Sequence, residues 1–160
     1  MMWTSRVNAW LSKKTQELSP DLFADLKLRT ENAVPEVVDQ IDKDLCRLSL
    51  PMELTGEHHE MIRGALRNVL LAYSIHDPAV GYCQGMHCVA ASALLPEAGA
   101  GEPLGLADEE NAFLWLDMVV HDILPRYYLP GLPGLLEEQA MLARLLQKQK
   151  PAVYTHLEGM

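Results

Sequence analysis

Apolar residues along this chain return every three or four positions and never alternate over a useful length, so helices are the structure it can form. From Gly56 to Tyr73, the residues Met61, Ile62, Ala65, Leu66, Val69, Leu70 and Tyr73 keep the 3.6-residue period of one helix face. No run with the two-residue period of a strand competes. The expected fold class is therefore all-α.

The punctuation agrees with that reading. Trp3, Val7, Trp10 and Leu11 give a first helix one apolar side. Ser19-Pro20-Asp21 looks like a helix start ahead of Leu22, Phe23 and Leu26, with Pro20 in the first turn. Another helix begins near Pro35, where Val34, Val38, Ile41 and Leu45 line one side and Asp44 and Arg47 fall one turn apart. His76-Asp77-Pro78 and Gly81 stop the long helix. A further apolar helix starts around Gln84, carrying Met86, Val89, Ala90, Ala93 and Leu94. The segment PEAGAGEPLGLA reads as a mobile loop over about 96–107, with Asp108 as the N-cap of the next helix through Phe113, Leu116 and Val120. After the irregular LPRYYLPGLPG comes a helix with Leu135, Leu136, Met141, Leu142 and Leu145 on its apolar side.

At 160 residues, residues 1–160 are read as one domain, and 49% hydrophobic residues are enough for a core without disulfide or metal staples. The net charge of −9 and the lack of a basic stripe oppose a general role on nucleic acid or on anionic membrane. No apolar stretch approaches the ~20 residues of a membrane span, and the first residues lack the pattern of a secretory signal. Cys46, Cys83 and Cys88 have no framework spacing and suit free thiols in a reducing compartment. A cytoplasmic, monomeric protein is expected.

Three motifs occur in order: Arg6…Trp10, Ile41…Asp44…Arg47 and Tyr82-Cys83-Gln84-Gly85-Met86. Together they resemble the R-x-x-x-W, I-x-x-D-x-x-R and Y-x-Q-G-M/Q motifs of the TBC domain, the GTPase-activating module that acts on Rab proteins. LRNVLLAYSIHDPAVGYCQGM, EENAFLWLDMVVHDILPRYY and VYTHLEGM extend the likeness over nearly the whole chain. The resemblance implies a multi-helix orthogonal array, here lacking the family's C-terminal helices. His87 follows YCQGM where the family often has asparagine, and Leu48 follows Arg47 where it often has threonine.

By the same resemblance, Arg47 and Gln84 are a catalytic pair supplied in trans. A Rab protein carries its own GTP and Mg²⁺ but hydrolyses slowly. Arg47 would neutralise charge developing on phosphate oxygens, and Gln84 would orient the attacking water. Such a role belongs to vesicle trafficking, on endomembranes reached through the partner. Guanidinium is planar, permanently charged and able to donate two parallel hydrogen bonds, whereas lysine offers a point charge. A glutamine amide both accepts from water and donates to phosphate. Ile41 and Tyr82 would pack the bases of the two fingers, Asp44 would restrain the arginine, Gly85 would allow close backbone approach, and Met86 would pack. Arg6 and Trp10 stay structural. No metal or cofactor is expected on the chain itself.

Other readings stand beside this one. Taken alone, Arg47 is a surface cation paired with Asp44, and Gln84 is a helix-entry residue. A Rab-binding module without catalysis would use the same surface. His76-Asp77 and His121-Asp122, with His58-His59-Glu60, invite a helical HD-type metal-dependent phosphohydrolase, whose ligands come from several helices. Plainer roles for these histidines are a helix stop and a solvated first turn.

Overall fold

A long central helix is surrounded by shorter ones because its own sequence is apolar on more than one side. The computed structural model of the chain describes residues 19, 21–50, 55–94 and 106–159. Among them are seven α-helices and no strand: α1 (Leu22–Leu28), α2 (Pro35–Arg47), α3 (Gly56–His76), α4 (Met86–Leu94), α5 (Leu106–Met118), α6 (Pro133–Gln149) and α7 (Pro151–Glu158). A 3₁₀ turn covers Thr30–Asn32, and a π-helical turn, Val119–Ile123, extends α5.

Helix α3 packs against α1, α2, α4 and α5. Ile62, Ala65, Leu66 and every residue from Val69 to Tyr73 are buried on it, as expected for a helix apolar nearly all round in its second half. Thr55 starts it, accepting a hydrogen bond from the His58 backbone N–H at 3.4 Å. Asp77 stops it: its carboxylate accepts from the N–H groups of Ala79 (3.1 Å) and Val80 (3.3 Å), and Gly81 follows with φ of +63°.

The neighbours fill the core around α3. Phe23 of α1 lies 5.4 Å from the Phe113 ring of α5, and Phe113 in turn is 6.3 Å from Tyr73. Glu109 of α5 is a polar clasp on the same side, 2.6 Å from Lys27 of α1 and 3.2 Å from the Asn68 amide of α3. Trp115 of α5 donates to Ser92 of α4 at 3.2 Å.

Several sequence-based expectations shift. Helix α5 begins at Leu106, so Asp108 sits inside the first turn, where its charge suits the positive end of the dipole, and is not the N-cap. Most of the loop expected over 96–107 lies outside the described residues, as do Pro20, the expected first helix and the Arg6…Trp10 motif. Val34 is exposed because it is the extended residue before α2, and Met61 and Ala93 face away from the described neighbours of their helices. Helix α4 starts at Met86, leaving Gln84 in the turn before it. Helix α6 has the expected apolar side, but Leu136, Met141, Leu142 and Leu145 are exposed, and its main partner among the described residues is α7.

Phe113→Ala should lower stability by about 3–5 kcal/mol in urea unfolding, because it removes the ring that joins α1, α3 and α5. Leu142→Ala, at a position 57% exposed, should cost less than about 1 kcal/mol. Equal losses at the two positions would contradict this placement of the core.

Candidate functional site

Helix α2 delivers Arg47 as its last residue, where a cation is favoured by the negative end of the helix dipole. Ile41 and Leu45 anchor that end in the core. The terminal carbonyls, which an α-helix leaves without internal partners, are met from α3: Arg63 donates from Nε to the Leu45 carbonyl and from Nη2 to that of Leu48, both at 3.3 Å. One turn along α3, Arg67 grips Asp42 through two bonds, Nε to Oδ1 at 2.7 Å and Nη2 to Oδ2 at 3.2 Å. That bond holds the Arg67 guanidinium above its ordinary pKa. Neither Arg63 nor Arg67 is signalled by periodicity. The sequence clue is only that two arginines four apart lie on the helix whose other face is the apolar one.

Asp44 is the centre of the arrangement. Its side chain is 2% exposed, and its two oxygens have separate partners. Oδ2 accepts from the Tyr82 hydroxyl at 2.9 Å and from the Gln40 amide at 3.2 Å. Oδ1 faces Arg47 Nη1 at 3.9 Å, a loose ion pair, and the arginine side chain remains 73% exposed. Burial, then the bond to Asp44, pushes the Tyr82 phenol far above its usual range. The Tyr82 oxygen also lies 3.1 Å from His87 Nδ1. This bond pattern joins the second motif to the third across 38 residues of chain.

The third motif is a turn built around Met86. Its side chain is fully buried, its sulfur accepts from the Cys83 N–H at 3.3 Å, and its own N–H donates to the Cys83 carbonyl at 3.1 Å. Gln84 is exposed at the turn. Gly85 has φ of +100°, and a Cβ placed there would meet nothing within 4 Å. In the chain itself, therefore, the left-handed backbone explains this glycine, and crowding does not. Beside the turn, burial raises the Cys83 thiol, while Cys46 and Cys88 are exposed.

The structure thus brings Ile41, Asp44, Arg47, Tyr82 and Met86 into one connected framework, with Gln84 and Gly85 on the turn that Met86 pins. Arg6 and Trp10 lie outside the described residues. The His-Asp dipeptides do meet: His121 Nε2 is 3.4 Å from Asp77 and 3.4 Å from Asp117, and His76 is 3.5 Å from Asp117. They tie the end of α3 to α5 and the π-helical turn. Among the described residues, no group of three or more His, Cys, Asp and Glu is disposed to hold a metal ion. His58 lies elsewhere, with its Nδ1 2.7 Å from the Thr55 hydroxyl oxygen.

Residues 2–160 match the model of the Rab-GTPase-TBC domain, and the chain belongs to that family. It is 39% identical over 161 residues to human growth hormone-regulated TBC protein 1, covering 97% of this chain and 44% of that protein. It is 33% identical over 156 residues to the TBC domain-containing protein C4G8.04 of Schizosaccharomyces pombe, covering 96% and 19% respectively. A third relative, "Putative GTPase-activating protein AN11010" of Emericella nidulans, is 34% identical over 139 residues, with 87% and 11% covered. The chain spans less than half the length of each of these relatives.

Tyr82→Phe should cost about 1–3 kcal/mol near neutral pH by taking a donor from buried Asp44. The same variant should lose stability less steeply above pH ~10. Folded Tyr82 has the raised pKa, so the unfolded chain ionises first, and the stability this group contributes is present below pH ~10 and lost as pH rises beyond it. Urea melts at pH 8 and above 10 would read both effects, and an unchanged alkaline slope would refute the second. In native protein at pH 8, iodoacetamide should modify Cys46 and Cys88 before Cys83 by peptide mass mapping.

Proposed function

We propose that this chain stimulates GTP hydrolysis by a Rab-family GTPase, with Arg47 and Gln84 entering the partner's nucleotide site. The observation that carries the reading is the Asp44–Tyr82 hydrogen bond. It fixes the two motif segments to each other while Arg47 and Gln84 stay exposed. Family membership supplies the class of partner, and the name of the Emericella nidulans relative points the same way.

In this reading GTP and Mg²⁺ belong to the partner, and the chain adds what a slow GTPase lacks. Arg47 donates from its planar guanidinium to oxygens of the transferring phosphoryl group, where negative charge shifts in the transition state. Gln84 accepts a proton of the attacking water through its carbonyl and donates to phosphate through its amide. Both act by positioning and electrostatics, with no covalent intermediate. Arg63, Arg67, Asp42 and Asp44 hold α2 so that the arginine is presented in a limited range of directions, and Met86 and Gly85 do the same for the glutamine.

The test is single-turnover hydrolysis of GTP preloaded on a panel of Rab proteins. Arg47→Ala should reduce acceleration by about 10³- to 10⁵-fold, equivalent to roughly 4–7 kcal/mol of barrier. Arg47→Lys should rescue little of it, because a point charge lacks the fork geometry. Gln84→Ala should be slower than wild type by a smaller factor, with binding to the GTP-loaded partner retained. If wild type binds a Rab and accelerates none, the chain is a binding module and the catalytic assignment is wrong.

A further inference from the structure

The Tyr82 hydroxyl has one proton and two neighbours that could take it, and counting donors decides which one does. A carboxylate offers only acceptors, so the 2.9 Å contact with Asp44 Oδ2 uses the phenolic proton. The 3.1 Å contact with His87 Nδ1 then needs its hydrogen from the imidazole. Were Nδ1 an acceptor, Tyr82 would have to donate to two groups at once. The bond pattern therefore requires His87 to carry its hydrogen on Nδ1, with Nε2 unprotonated when the ring is neutral.

From this we infer that His87 is a positioning residue: by donating to the Tyr82 oxygen it commits the tyrosine's proton to Asp44 Oδ2 and leaves Oδ1 to face Arg47. The division of the carboxylate supports this. Oδ2 holds both short bonds, from Tyr82 and from Gln40, and Oδ1 has the 3.9 Å approach of Arg47. A carboxylate pinned through one oxygen keeps the other in a fixed direction. Without the His87 donor, the tyrosine hydroxyl loses one of the two bonds that orient it, and the direction of Oδ1 loosens with it. His87 reaches no reacting atom in this scheme. It acts on Arg47 through Tyr82 and Asp44.

The inference rests on the proposed activity only for its kinetic consequence, so the experiment has two arms. In the first, ¹⁵N-histidine-labelled protein is titrated to where the His87 ring is neutral, and long-range ¹H–¹⁵N spectra identify the protonated nitrogen. A protonated Nδ1 is expected, and Tyr82→Phe should abolish that preference. The Arg47 Nε–H signal should shift in His87→Ala and hold near its wild-type position in His87→Asn, whose amide can also donate. An Nε2–H tautomer in wild type, or an Arg47 signal indifferent to His87→Ala, would overturn the inference whatever the protein does to GTP. In the second arm, on a Rab that wild type accelerates, His87→Ala should lower kcat by about three- to tenfold with little change in KM, the loss of one oriented hydrogen bond. His87→Asn should restore most of kcat, and adding Tyr82→Phe to His87→Ala should cost less than the sum of the two. Equal kcat for wild type and His87→Ala also overturns it. Failure of wild type to accelerate any Rab counts against the proposed function alone.

Discussion

The hydrogen bond between Tyr82 and Asp44 is what makes two distant stretches of sequence into one surface. It is made inside the protein, where an unsatisfied carboxylate would be expensive, and that cost fixes its geometry. Asp44 is held by α2, whose end is capped from α3 by Arg63. Tyr82 is held by the turn that Met86 fastens to α4. Each partner therefore has its own anchor besides the bond between them. Of all the contacts described, this one has the least redundancy: α1, α3 and α5 share several aromatic and polar links, whereas helix α2 has few contacts with α4.

The polar residues divide by what they hold. Lys27, Asn68 and Glu109 close the side of the core where α1, α3 and α5 meet. His76, Asp77, Asp117 and His121 close its far end, where the helix widens into a π-turn. Asp42, Arg67 and Arg63 hold α2. All three groups lie at helix junctions, where a short helix could slide without losing much apolar contact, so directional bonds set the register that packing leaves soft.

Much of this was legible in the residues. The apolar period from Met61 to Tyr73, more than three turns of one face, marks the body of α3, and the order of the three motifs points to the family. Individual positions were less secure. Met61 and Val34 fit the period but face outward, since periodicity reports a side of a helix and not how far its neighbours extend. Asp108 looked like a cap because its side chain suits that place, yet the backbone entered the helix two residues earlier. Arg63, Arg67 and Gln40 carry no signal in the sequence, and His87 shows only as a departure from the motif, without its bond to Tyr82. Their partners lie on other elements or depend on a tautomer, and linear spacing holds no information about either. The left-handed backbone of Gly85 is a second reason for that glycine, visible only in three dimensions.

The 3.9 Å separation between Arg47 and Asp44 has a thermodynamic consequence. A guanidinium seated in a short bidentate pair has already lost its water and most of its rotamers, and must give up that pair before it can serve another anion. Arg47 is not seated in such a pair. Its side chain stays 73% exposed and only loosely restrained by the buried carboxylate behind it, so in the proposed role most of the work of freezing and drying it would fall at the moment a stronger negative charge arrived.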